Sequence, residues 1–245
     1  MLHTPFWDLT KRNEYTVINV TLDMDPESKR ARNIRERPPT PPLWHSYFHV
    51  VYTLVFCVVG MSIALYYTNN LRPIEVLIIP VAFVLANFVE YFIHRWPMHR
   101  KYPGAEVMLR LHMVHHNYFY EDTYRINGFR DYAMIVFPPI VLNILAFGLA
   151  PLIAAGIWWL LGRNAALLFY ASVLGYYLLM QLIHVLCHLD PQNKAARIPG
   201  IRYLWSHHNV HHTKRCMAKV NFNFIVPLAD IVMRTNAKNI DSIKR

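Results

Sequence analysis

Hydrophobic positions gather into four long runs separated by strongly polar stretches, and each run is long enough to cross a bilayer, which takes about 20 residues of helix. The first extends from Tyr47 to Tyr67 and the second from Ile74 to Ile93, the third lies between Ala133 and Leu161, and the fourth runs from Ala165 to Leu189. Pro138-Pro139 and Pro151 interrupt the third, which reads as one kinked span or as a short span with a half-helix. The pattern predicts an all-α fold, a multi-pass membrane bundle of about four transmembrane helices. Trp44, Tyr47, Phe48 and Tyr52 open the first run as an interfacial aromatic anchor. Between the runs, Leu109, Leu111, Met113 and Val114 suit a helix lying against the membrane.

Residues 1 to about 37 are polar and mixed in charge, with a basic run from Lys29 to Arg37. The β-branched stretch from Asn13 to Asp23 reads as part of a solvated arm rather than as a strand. Pro38 to Pro42 then form a stiff extended hinge. The organisation expected is an arm over residues 1–43, ending in that hinge, and a membrane-embedded domain over residues 44–245. The first 46 residues lack an apolar signal core, so insertion would use the first span itself.

Composition agrees with a membrane location: 54% of residues are hydrophobic and 16% charged, against about 25% charged in soluble domains. The net charge of +10 is a matter of placement. Twenty-three of the 25 Lys and Arg residues flank one side of the four runs; Arg72 and Arg163 alone fall on the other. By the positive-inside rule both termini would face the cytosol, in the endoplasmic reticulum of a eukaryote or the inner membrane of a bacterium. Nucleic acid is not needed to explain the basicity. Three cysteines, Cys57, Cys187 and Cys216, make no disulfide framework.

The candidate chemistry lies at the cytosolic ends of the runs. Ten of the 14 histidines form four clusters: His94 and His99; His112, His115 and His116; His184 and His188; His208, His211 and His212. On the second run, Asn87, Glu90 and His94 share a helical face, and on the fourth Tyr177, Gln181, His184 and His188 do so. Pro97 disfavours helix at Trp96, and an unwound segment there lets His94 and His99 aim at one site or at two adjacent ones. Both triplets have the i, i+3, i+4 spacing of one helical face. Two spans and two juxtamembrane helices thus form a cytosolic histidine-rich helical cap, the way a bundle builds a metal centre.

Zinc, copper, iron and nickel accept imidazole, whereas magnesium and calcium prefer oxygen. A structural zinc site closes with four ligands, so ten nitrogens point instead to two metals with open positions. No His-Glu-x-x-His motif supports a zinc protease. Glu90, His207, Asn209 and Asp190 are candidates to orient the ligands through hydrogen bonds, although Asp190, beside Pro191, also reads as a helix terminator. His45 and His49 sit with the interfacial aromatics and are read as part of that anchor. A non-redox metal-binding or metal-transporting membrane protein is the alternative. It would need polar residues across the midplane of several spans, and Asn143 is the one strongly polar side chain near the middle of the third.

The order H-x4-H, H-x2-H-H, H-x3-H, H-x2-H-H, with the segment from Asn221 through Asp230 to Thr235, resembles the fatty acid hydroxylase/sterol desaturase superfamily of membrane-bound non-haem di-iron enzymes. The resemblance spans about residues 75 to 236. It departs at Asn223, where glycine is usual, and at Met233, where phenylalanine is usual. It implies a monooxygenase or desaturase with two iron ions, replaceable by zinc in a purified protein, and O2 as co-substrate. The ligands would be His94, His99, His112, His115, His116, His184, His188, His208, His211 and His212. The substrate would be a fatty acyl, sterol or related lipid entering from the bilayer, with Tyr177, Gln181, Asn87 and Phe92 as pocket wall. No His-Pro-Gly-Gly haem-domain loop is present, so electrons would come from a separate electron-donor protein, docking on the basic face through an acidic surface of its own.

Overall fold

Four apolar helices of 23 to 25 residues carry the fold, in a computed structural model whose described residues are 39–120 and 124–238. The arm, its basic run and its β-branched stretch lie outside the described residues, apart from the end of the proline hinge. No strand occurs among the described residues, in agreement with the all-α expectation. Helix α1, Leu43–Tyr66, begins where extended Pro42 gives way to helical residues, with His45 N donating to Pro42 O. The second span, Pro73–Arg95, opens with a single turn, Pro73–Val76, and continues as α2, Ile78–Arg95. As Pro97 requires, α2 stops at Arg95.

The third span is one interrupted helix rather than a span plus a half-helix. Helix α4, Pro139–Ile144, passes through a π-helical turn, Leu145–Leu149, into α5, Ala150–Leu161. Pro151 lacks an N–H, and its ring crowds the carbonyl four residues earlier; widening the turn just before it relieves both demands. Gly162, with φ +94°, makes the sharp reversal into α6, Arg163–Cys187. Asn164 fastens that reversal to the α1–α2 loop: its Nδ2 donates to Asn69 O and its Oδ1 accepts from Asn69 N.

Helix α6 is the central helix, far more buried than the other three spans. Leu174, Tyr177 and Met180 of α6 pack with Cys57 of α1, Leu142 of α4, and Phe224 and Ile225. Gly60 lets α1 and α6 approach closely; a Cβ there would come 2.7 Å from Leu174 Cδ1. Tyr52 donates to Asn143 Oδ1 at 2.5 Å, which satisfies the polar residue of the third span. The outward faces are apolar, for example Leu152, Phe147 and Trp159, as acyl chains require. At the end of the bundle opposite Gly162 sit α3, Glu106–Tyr118, and α7, Pro199–His212. A final segment there carries the short helix α8, Leu228–Val232.

Candidate metal centre

The ten clustered histidines converge from four helices and one turn. His94 ends α2, and His99 follows in the turn fixed by His99 N and Arg100 N donating to Trp96 O. α3 supplies His112, His115 and His116, the end of α6 supplies His184 and His188, and α7 supplies His208, His211 and His212. They sort into two groups of five. His94, His99, His112, His116 and His211 form one, and His115, His184, His188, His208 and His212 form the other; within each, one nitrogen per residue lies within 4.8 Å of all the others.

Each H-x-x-H-H triplet is divided between the groups. His112 and His116, one turn apart on α3, go to the first group, and His115 goes to the second. On α7 the assignment reverses: His208 and His212 go to the second and His211 to the first. Each juxtamembrane helix therefore serves both groups, whereas α2 serves the first and α6 the second.

Backbone carbonyls fix how five of the rings present themselves. Nδ1 of His94 faces Phe222 O, that of His115 faces Met134 O, and that of His188 faces Tyr124 O. His211 and His212 do the same with Val220 O and Phe119 O. A carbonyl can only accept, so each Nδ1 carries the proton and each Nε2 is left with a lone pair directed inward. His115 and His212 then face each other as two acceptors, Nε2 to Nε2, at 3.1 Å. No hydrogen bond can form between them, and a cation between the lone pairs is the chemistry that suits the contact.

The other inward contacts have the same scale. His112 Nε2 lies 3.0 Å from His94 Nε2, 3.0 Å from His99 Nε2 and 2.9 Å from His116 Nε2. In the second group His115–His184, His188–His208 and His208–His212 are 3.2, 3.2 and 3.1 Å apart. With metal–imidazole bonds of about 2.1 Å, neighbouring ligands stand about 3.0 Å apart in an octahedral arrangement and about 3.4 Å apart in a tetrahedral one. The spacings of 2.9 to 3.2 Å are those of neighbouring ligands on one ion, and five nitrogens exceed the four of a closed tetrahedral site. Outside the spans, burial first and neighbouring imidazoles second hold the histidines far below their ordinary range: His99 is pushed down to about 2. His115 falls to about 4, from burial. The rings are thus neutral and ready to coordinate at any physiological pH.

Of the four candidate orienting residues, Glu90 bonds to the segment beside the two groups and not to any of the ten histidines. Buried in α2, it accepts from Phe224 N and from the Tyr176 hydroxyl. The Phe224 ring lies against His94 of the first group and against His184 and His208 of the second, at 5.0, 4.4 and 4.9 Å between centroids. His207 Nε2 stands 3.4 Å from Asp230 Oδ2, away from both groups. Asn209 is half-buried and makes no hydrogen bond to the ten histidines. Asp190 turns away to Arg125 at 2.7 Å and to Gln192 N, closing the loop whose Tyr124 carbonyl receives His188.

Two of the four expected wall residues lie elsewhere. Phe92 is partly exposed on the outer face and stacks on Trp96. Asn87 is taken up by hydrogen bonds to Tyr176, Val226 and Ala229. Tyr177 and Gln181 are buried on α6 below His184. Asp230, marked in the sequence only through the resemblance and with no role, accepts from Phe222 N, Asn223 N and the Thr235 hydroxyl and so holds the segment whose Val220 and Phe222 carbonyls face His211 and His94. His45 and His49 stay outside both groups, with His49 Nδ1 on Val136 O.

Residues 79–235 match the fatty acid hydroxylase family. Among solved structures, full-length Scs7p, in which only the hydroxylase domain is visible, is similar with a TM-score of 0.56 at 22% identity. That match covers 81% of this chain and 67% of the other, and the likeness is one of fold. No curated protein matches the chain.

Proposed function

The chain belongs to the fatty acid hydroxylase family, and from that premise we propose that it is an O2-dependent di-iron hydroxylase or desaturase of a membrane lipid. The observation that carries the reading is the sorting of ten imidazoles, nine of them buried, into two groups of five nitrogens. His94, His99, His112, His116 and His211 would hold one iron, and His115, His184, His188, His208 and His212 the other. Two irons so held would supply, with O2 and two electrons, removal of hydrogen from an unactivated C–H bond.

The chain's own residues do the positioning. Carbonyls of Phe119, Tyr124, Met134, Val220 and Phe222 set the ring orientations, and the five nitrogens of each group would hold one ion. Nine of the ten imidazoles are buried and His99 nearly so, which keeps bulk water from the reacting carbon. Phe224, touching both groups from the bundle side, marks where an acyl chain or sterol body would be presented, with Tyr177 and Gln181 lining its approach. Both termini and the histidine end are assigned to the cytosol, where a separate donor protein would deliver electrons onto the basic face.

Two measurements test this. Elemental analysis of protein produced in iron-replete cells is expected to give close to two irons per chain, with zinc able to replace them during purification. Lipid mass spectrometry of cells with the protein, without it and with His112→Ala is expected to reveal a lipid that gains one oxygen or loses two hydrogens with the intact protein alone. An unchanged lipidome under aerobic conditions, with metal bound, would overturn the enzymatic reading.

A further inference from the structure

The segment from Asn221 to Thr235 is too short and too polar to register as a span, yet its contacts follow α2 down into the bundle. Phe222 O accepts from His94, Phe224 N donates to Glu90, and Val226 O accepts from Asn87 Nδ2. As the chain advances from 222 to 226, its partners on α2 retreat from 94 to 87. The stretch thus runs beside α2 in the opposite direction, bending at Phe224 and Ile225. The chain turns at Pro227, where Ala229 N donates to Asn87 Oδ1, and climbs back through α8. Thr235 Oγ1 then stands 3.2 Å from Tyr91 Oη, and Asn221 N donating to Thr235 O closes the neck.

Asn87 lies eight residues inside the histidine-side end of its span, Pro73–Arg95, a depth of about 12 Å in a hydrocarbon layer about 30 Å thick. Irregular backbone is tolerated at that depth only when its polar groups are satisfied internally. The N–H groups of residues 221 to 224 are: Asn221 N donates to Thr235 O, Phe224 N to Glu90, and Asp230 takes Phe222 N at 3.0 Å and Asn223 N at 2.8 Å, while Asn223 Oδ1 takes Asp230 N at 3.1 Å. Asn223 Nδ2 donates to Asn87 O at 2.9 Å, so the asparagine in place of the expected glycine locks the loop to the span. The inner side of the hairpin is Phe222 and Phe224, both buried against histidines. Its outer side is apolar and exposed: Val226 43%, Ile231 57% and Val232 57%. Exposed Arg234 and Lys238 follow at the neck, where they reach water.

We propose that residues 221–235 form a re-entrant hairpin seated in the histidine-side leaflet, with Val226, Ile231 and Val232 against phospholipid acyl chains. The hairpin separates the two histidine groups from the lipid beside α2. This assignment does not depend on which metal is bound.

The test is nitroxide accessibility in the full-length protein, reconstituted in phosphatidylcholine vesicles, with labels at Val226→Cys, Ile231→Cys and Val232→Cys. Cys57, Cys187 and Cys216 are buried and compete little for label. Val84→Cys, on the exposed face of α2, is the lipid reference, and Lys238→Cys the aqueous one. At the three hairpin positions the ratio of accessibility to oxygen over a water-soluble nickel chelate is expected to match Val84 and to exceed Lys238 several-fold. Ratios like that of Lys238 in variants with unchanged helical circular dichroism would overturn the proposal. Three separate positions keep the outcome independent of the folding of any one variant.

Discussion

Asp230 is fully buried and accepts from two backbone N–H groups and one hydroxyl. Asp230→Ala would leave those donors unpaired, at about 1–3 kcal/mol each, and would unseat the carbonyls that orient His94 and His211. The expected result is a large fall in thermal midpoint together with lost metal; Asp230→Asn, which keeps one acceptor, is expected to lose less of both. Glu90→Gln retains an acceptor for Phe224 N and is likewise expected to be milder than Glu90→Ala. The histidines predict a pH dependence. Outside the spans their folded-state values lie far below the ordinary 6.5, so the unfolded chain takes up protons first as pH falls. Metal-free protein is therefore expected to keep its stability above about pH 6.5 and to lose it steadily from there towards about pH 4, read as thermal midpoint against pH. A flat profile over that range would contradict the burial of neutral rings. At this scale the sequence was legible where chemistry repeats: ten histidines and a carboxylate stranded in an apolar helix. Asp190, two positions after His188, bonds to Arg125 and Gln192 N and not to the histidine. The roles of Asn87 and Asn223 depend on partners up to 142 positions away, and no local spacing announces them. One signal was available: Asn87 is a second polar residue on the apolar face of Glu90.

At the level of elements, the split triplets make distinct predictions. His116→Ala removes a nitrogen from the first group and His115→Ala one from the second, although the two residues are adjacent on α3. Each variant is expected to lose about one metal equivalent while keeping the other, as measured by elemental analysis; loss of both from either would show that the groups do not assemble separately. The one-face reading of each triplet located the helices correctly and missed the division, because i+3 lies about 60° to one side of i and i+4 about 40° to the other, and two targets can flank that face. Proline positions foretold an interrupted third span, whereas the π turn that keeps it continuous depends on how Pro151 packs. Gly60→Ala is expected to lower the thermal midpoint, with overpacking costing about 1–3 kcal/mol, since its Cβ would press on the fully buried Leu174.

For the molecule as a whole, hydropathy located four spans to within a few residues because acyl chains demand long uninterrupted apolar surface. The hairpin escaped notice for the same reason: its apolar stretch, Phe224 to Met233, is far shorter than a span and is broken by Pro227 and Asp230. Lys and Arg placement gives the proposed orientation, and the exposed bases around the histidine end, among them Arg100, Arg110, Lys194, Lys214 and Arg215, give the donor-docking reading its test. Reconstituted turnover with an acidic protein donor is expected to fall steeply as salt rises through the physiological range. Turnover supported by a small neutral reductant is expected to change little. Equal sensitivity of the two would argue against docking by charge.

Because α3 and α7 each lend nitrogens to both clusters from successive positions on a single turn, the gap between two bound ions would be gauged by helical pitch and not by the length of any loop. Sliding either helix by one residue would swing its three imidazoles through about 100° and dismantle both coordination spheres together. Insertions are therefore tolerable in the connections, such as residues 189–198, and ruinous inside either triplet.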